Sequence, residues 1–452
     1  MSRYLLTNAN IVTGESSFPG SIGIDGGRIT EVWKEGMPVF PDAEVIDLKG
    51  KVLMAGGIDA HVHFREPGLT RKADIASESA AAVLGGITSF VDMPNTLPPT
   101  VSIEALEGKL ATAALSSKAN YGFHLGATNT NASLIKEYLE NGQGDRFGGI
   151  KVFMGSSTGN MLVDRDATLK EIFSIKGKAI LVHCEDEDTV KANLEAARNE
   201  YGNAIPFPLH PTIRSREACI KSTGKALDLA FKHGTRLHIL HVSTAEEVEM
   251  IREAKRTNPN ISAETSANYL WFSDEDYPRL AGRIKCNPAI KTNDDRHALL
   301  EGFSDGTIDT IGSDHAPHLL SEKEKAYAEC PSGVPSVRHS LQVVLTLALK
   351  SGIPLTRVAS AFSENVARIL GIEGRGFIRK GDFADLVVLD LDQESVADGK
   401  DYKCGWTPYE GCILRGKAEM VWLNGIPVVS GSRMCAGIGQ FQPLPLQFRP
   451  IG

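Results

Sequence analysis

Val52-Leu53-Met54-Ala55-Gly56-Gly57-Ile58-Asp59-Ala60-His61-Val62-His63 is an apolar run that closes on two histidines one residue apart. On a strand, residues i and i+2 share a face, so both imidazoles project the same way. The design returns along the chain. Gly86-Ile87-Thr88-Ser89-Phe90-Val91-Asp92-Met93, Gly149-Ile150-Lys151-Val152-Phe153-Met154, Ala179-Ile180-Leu181-Val182-His183, Leu237-His238-Ile239-Leu240-His241-Val242 and Thr310-Ile311-Gly312-Ser313-Asp314 each read as a short buried strand. Helical patterns lie between them, over 75–84, 189–200, 216–232 and 245–255. Strand followed by helix at this spacing predicts a parallel sheet, and the number of repeats suits a closed barrel. In such barrels the chemistry sits at the C-terminal strand ends. His61, His63, Lys151, His183, His241 and Asp314 each lie in or at the end of one of these runs, so they are expected to converge.

The two ends of the chain read differently. Tyr4-Leu5-Leu6-Thr7, Ile11-Val12-Thr13, Ser21-Ile22-Gly23-Ile24 and Arg28-Ile29-Thr30-Glu31-Val32-Trp33 are short β patterns punctuated by Asn8, Gly14 and Asp25-Gly26-Gly27. Near the other end, Asp385-Leu386-Val387-Val388-Leu389-Asp390 and Ala418-Glu419-Met420-Val421-Trp422-Leu423 repeat the pattern, the latter followed by an Asn424-Gly425 hairpin signal. The expectation is one small β domain from residues 1–53 and 371–452, attached to a barrel over 54–370.

With 452 residues, 42% hydrophobic and 23% charged, the chain has the composition of a folded globular protein. A net charge of -8 argues against a nucleic acid partner held by bulk electrostatics. The seven cysteines show no CxxC spacing, which points to reduced thiols and a cytoplasmic location. No secretory h-region and no run long enough to span a membrane is visible.

Each candidate site residue has a plainer reading. His61 and His63 can share one metal ion or be hydrogen-bonded loop histidines. His183 and His241, taken singly, read better as satisfied histidines than as ligands; His238, three residues before His241, belongs behind the ligands or in the core. Asp314, in Gly312-Ser313-Asp314-His315-Ala316-Pro317-His318, is a buried carboxylate that can ligate metal and serve as general base, or cap a helix. Lys151 sits inside an apolar run. Burial lowers a lysine's pKa and frees an amine that can take up carbon dioxide as a carbamate, unless the side chain reaches solvent. Together, four histidines, an aspartate and a carbamate suit two divalent metal ions, with zinc the first expectation from ligand type and manganese or cobalt open. The run Glu322-Lys323-Glu324-Lys325 reads as a solvated helix face.

Asp59-Ala60-His61-Val62-His63-Phe64-Arg65-Glu66-Pro67-Gly68 and Gly312-Ser313-Asp314-His315-Ala316-Pro317-His318 together resemble signatures of the amidohydrolase superfamily and, within it, the dihydroorotases. The resemblance runs from Asp59 through the tail. It implies an α/β fold, a distorted (β/α)8 TIM barrel with a small β-sandwich formed by both termini. It implies one metal on His61, His63 and Asp314, a second on His183 and His241, and a carboxylated Lys151 between them. Some long-chain dihydroorotases bridge with aspartate instead; the strand around Lys151 resembles the lysine-bearing branch. On the substrate side it implies Arg65, Asn95 and His318 around a carboxylate, Asn287 against a pyrimidine ring, and the backbone of Pro331-Ser332-Gly333-Val334-Pro335 at the ring edge. Taken alone, Arg65 reads as a surface ion pair with Glu66, and Asn95 and Asn287 read better as turn residues.

The implied activity is the reversible hydrolysis of the cyclic amide of dihydroorotate, a small-molecule substrate, to N-carbamoyl-aspartate, with Asp314 moving the proton. A homodimer is a family-level expectation. Hydantoinases and dihydropyrimidinases share the metal site but carry a tyrosine where this chain has Ser156; allantoinases share Glu-Pro-Gly but are not expected to carry arginine at position 65. A non-catalytic scaffold related to these enzymes usually loses metal ligands, and all six positions are present here.

Overall fold

The computed structural model describes residues 3–35, 38–155, 161–435 and 443–449. Both chain ends contribute to one nine-stranded sheet. Its first part is β1 (Tyr4–Val12), β2 (Ser17–Asp25), β3 (Arg28–Trp33), β4 (Glu44–Asp47) and β5 (Val52–Ala55). β1 is one strand, although Asn8 breaks the pattern in sequence. Asn8 adopts a φ of 52°, and a bulge between Leu6 and Ala9 absorbs it. The core of this sheet is Leu6, Ile11, Ile22, Leu53, Leu386 and the fully buried Trp422.

Eight strand positions follow in parallel. They are β6 (Gly57–Val62), β7 (Ile87–Asp92), β8 (Asn120–Phe123) continued as β9 (Leu125–Gly126), β10 (Ile150–Phe153), β11 (Ile180–His183), β12 (Leu237–Ile239), β13 (Ile261–Thr265) and β14 (Thr310–Ile311). β6, β7 and β8 form one ladder and β9 to β14 another. The break falls at His124, where the strand leaves β7 and joins β10. The circle closes between β14 and β6 through the His63 amide, which donates to the His315 carbonyl at 2.7 Å. The fold is a distorted (β/α)8 barrel with a β-sandwich built from both ends of the chain.

The remaining strands return to the terminal sheet: β15 (Leu386–Val396), β16 (Ile413–Leu423), β17 (Ile426–Ser430) and β18 (Arg433–Met434). β16 and β17 are joined by Asn424-Gly425, both at positive φ, the two-residue turn that matches strand twist. The helices Ile75–Leu84, Glu187–Tyr201, Arg216–His233 and Ala245–Thr257 lie between barrel strands at the positions their sequence patterns predict. Among the described residues no helix is long and apolar enough to cross a membrane.

Candidate active site

β6 ends at Val62, and its last turn of chain delivers His61 and His63 to the barrel mouth. Each ring is fixed from behind. His61 Nδ1 lies 2.6 Å from Glu264 Oε1, and His63 Nδ1 lies 2.7 Å from Asn95 Oδ1. Those partners accept a proton from Nδ1, which leaves the Nε2 lone pair to face inward. Both Nε2 atoms meet Asp314, at 3.3 Å and 3.2 Å from its Oδ1. The three ligand atoms lie within 4.8 Å of one another, a spacing that one cation can span.

A second group faces them. His183 ends β11 and His241 follows β12, and His183 Nδ1 lies 2.8 Å from His241 Nε2. His183 Nε2 is held at 2.9 Å by Glu185 Oε2, which also pairs with Arg214. Burial keeps both rings below the usual histidine pKa, and it pulls His63 down to about 4. These are neutral imidazoles, the form that binds metal.

Lys151, on β10, is fully buried rather than reaching solvent. Its Nζ has no hydrogen-bond partner among the described residues. Burial pulls its ammonium down to about 7, opposed by the charges of Asp314 and Glu264. An easily neutralised amine with no hydrogen-bond acceptor among the described residues, only the Phe153 ring 4.6 Å away, is poorly held as a structural cation. Converted to a carboxylate-like group it becomes a donor, so the residues present fit a pair of divalent cations. Asp314 completes the set: burial pushes its carboxyl up, but His61, His63 and Lys151 outweigh this and hold it low, as a carboxylate.

The backbone is strained here. Arg65, His241 and Asp314 have φ values of 67°, 38° and 47°, a region costly for residues with a side chain and found mainly where surrounding structure enforces it.

His61, His63, Lys151, His183, His241 and Asp314 wall a small cavity together with Arg65, Asn95, Asn287 and Gly333. Arg65 is 2% exposed and makes no ion pair with Glu66, which instead accepts from the Ile75 amide at 3.0 Å. Its Nε donates to the Pro317 carbonyl and its Nη2 lies 3.0 Å from His318 Nε2. His318 is buried behind Arg65 and is absent from the cavity wall. Asn287 Oδ1 is a buried acceptor without a partner among the described residues. Gly333 needs to be glycine: its φ is 130°, and a Cβ would sit 2.6 Å from the Ala316 carbonyl oxygen. The Gly333 amide donates to Lys285 and its carbonyl accepts from Lys323, while the Val334 carbonyl accepts from the Ala316 amide. Ser156 lies outside the described residues.

The family model described as the amidohydrolase family matches residues 52–426. The chain belongs to the amidohydrolase family. It is therefore a hydrolase. It is 34% identical to a dihydroorotase of Methanosarcina acetivorans over 93% of this chain and 92% of that one, and 35% identical to a dihydroorotase of Methanosarcina mazei over 93% and 94%. Among solved structures, an L-hydantoinase (dihydropyrimidinase) from Arthrobacter aurescens superposes with a TM-score of 0.91 at 26% identity, covering 96% of this chain and 98% of that one.

Two parts of this amidohydrolase site were not evident from its sequence. Glu264 and Glu185 hold the backs of His61 and His183. Glu264 carries the same signal as Lys151, a charge inside an apolar strand, in Ile261-Ser262-Ala263-Glu264-Thr265. The expected solvated face at 322–325 is corrected at Lys323, which is 1% exposed; its ammonium donates to the carbonyls of Lys285, Pro331 and Gly333 at 2.7–3.0 Å. The Lys285 carbonyl also accepts from the Gly333 amide, and the one buried ammonium ties all three carbonyls together.

Proposed function

We propose that the enzyme is a dihydroorotase, interconverting L-dihydroorotate and N-carbamoyl-L-aspartate by hydrolysis and closure of the ring amide. The observation that carries this reading is Arg65: a buried guanidinium on the wall of a small cavity that also holds the metal-competent cluster. Burial lowers its pKa to about 10, and a substrate carboxylate would offset that cost through a two-pronged ion pair. The relatives named dihydroorotase support the same reading.

His61, His63 and Asp314 would hold one cation and His183 and His241 the other, with Lys151 as a carbamate between them and zinc the ion that suits this donor set. When bound, such a pair supplies Lewis acidity, making water a nucleophile near neutral pH and polarising a carbonyl. Asp314, a carboxylate at the cavity, would take the water's proton and return it to the ring nitrogen as the C–N bond breaks. Arg65 would fix the substrate carboxylate and so the ring's orientation. Asn287 Oδ1, an acceptor in need of a donor, suits a ring N–H. Ring closure uses the same groups in reverse.

The likeness to hydantoinases favours a second reading, hydrolysis of an uncharged ring amide. Such a substrate would leave buried Arg65 without a carboxylate at hydrogen-bond distance, its charge offset only from further away by Asp314, Asp92 and Glu322. Turnover of dihydroorotate, hydantoin and allantoin, measured side by side with zinc supplied, tests the choice. Dihydroorotate is expected to be the preferred substrate, with Arg65→Met raising its KM. Preference for hydantoin or allantoin refutes the proposal.

A further inference from the structure

His318 meets three hydrogen-bonding neighbours with two ring nitrogens. Its Nδ1 lies 2.8 Å from Lys72 Nζ, and its Nε2 lies 3.0 Å from Arg65 Nη2 and 3.1 Å from the Ser332 carbonyl oxygen. Lysine has only donors, so Nδ1 has to accept, and a neutral ring then carries its proton on Nε2. The surroundings keep the ring neutral: burial, then the charges of Arg65, Lys323 and Lys72, hold its pKa well below the usual value. Nε2–H donates to Ser332. It cannot at the same time accept from Arg65.

We infer that Lys72 is a positioning residue for the carboxylate grip: by forcing the His318 proton onto Nε2, it stops Arg65 Nη2 from being spent on the histidine and leaves it for the substrate. The same proton ties Ser332 into place beside Gly333, on the cavity wall. In the other tautomer, Nε2 would accept from Arg65 and release Ser332. The grip would then be quenched by its own neighbour. The inference rests on the reading of the cavity as a site for a ring bearing a carboxylate. Lys72 also lies 3.3 Å from Glu322 Oε2, and a merely structural ion pair is the rival explanation.

Two measurements separate them. Nitrogen-15 spectra of the zinc-loaded, histidine-labelled protein, with His318 identified by its loss in His318→Asn, should show a protonated Nε2 and a bare Nδ1; Lys72→Met should reverse them. In steady-state assays Lys72→Met should raise the KM for dihydroorotate roughly tenfold with little change in kcat, and Lys72→Arg should restore it. A proton on Nδ1 in the parent protein overturns the inference, as does a folded Lys72→Met variant with the parent's KM. If the parent does not turn over dihydroorotate, the functional reading fails, and the spectra still decide the role of Lys72.

Discussion

Asp314 is the residue on which both halves of the proposed chemistry depend, because its Oδ1 faces His61 and His63 while its carboxyl is held ionised. Asp314→Ala is expected to lower kcat by roughly a thousandfold or more, with the circular dichroism spectrum retained. Activity close to the parent's would remove Asp314 from the mechanism. Glu264 acts one step back, orienting His61 through the 2.6 Å contact. Glu264→Gln should weaken metal binding about 10–100-fold in competition with a chromophoric chelator, and an unchanged affinity would show that His61 needs no such support. The convergence of His61, His63, Lys151, His183, His241 and Asp314 was legible in sequence because each ends or interrupts an apolar run. Glu264 and Glu185 were not singled out. A residue that binds the back of a ligand has no spacing of its own, and only the folded barrel brings positions 61 and 264 together.

At the scale of elements, the helix Ile75–Leu84 links the surface to the site. Asp74 caps it, accepting from the Ser77 amide at 2.8 Å and pairing with Lys403. Glu78, within the helix, lies 2.9 Å from His315 Nε2, next to Asp314. Burial pushes the Asp74 carboxyl up, but Lys403 and Ser77 outweigh this and leave it below the ordinary 3.8. The folded state thus favours the ionised form. Its contribution is complete above the unfolded value and is lost as pH falls through the lower folded value. Asp74→Ala should cost about 1 kcal/mol in urea unfolding at pH 7, and the penalty should shrink as the pH is taken below 3.8. A penalty independent of pH would exclude the charged cap. This helix was visible in sequence from its apolar spacing between Asp74 and Gly85. The segment 320–335 was not, because its order comes from buried lysines donating to carbonyls, and a charged run carries no mark of which lysine turns inward.

For the molecule as a whole, the barrel's strand ends gather donors suited to a cation: His183 Nδ1 and His241 Nε2 share a hydrogen bond at 2.8 Å, while His241 Nδ1 and Lys151 Nζ have no hydrogen-bond partner among the described residues. Binding to the folded state alone stabilises it. Removal of metal with a strong chelator should abolish activity and lower Tm by several degrees while secondary structure persists, and zinc should restore both. Full activity after verified metal removal would contradict the proposal. The alternation of strand and helix made the barrel legible, and β-rich ends made the terminal sheet legible. The switch at His124 was not, since the chain there continues as one extended segment and only the change of partner strand breaks the ladder.

A crystal structure of the zinc-loaded protein should show two anomalous metal peaks about 3.5–4 Å apart, one beside His61, His63 and Asp314 and one beside His183 and His241, with carboxylated Lys151 density between them. A bare Lys151 amine with no metal density beside His61 would contradict the proposed two-metal site.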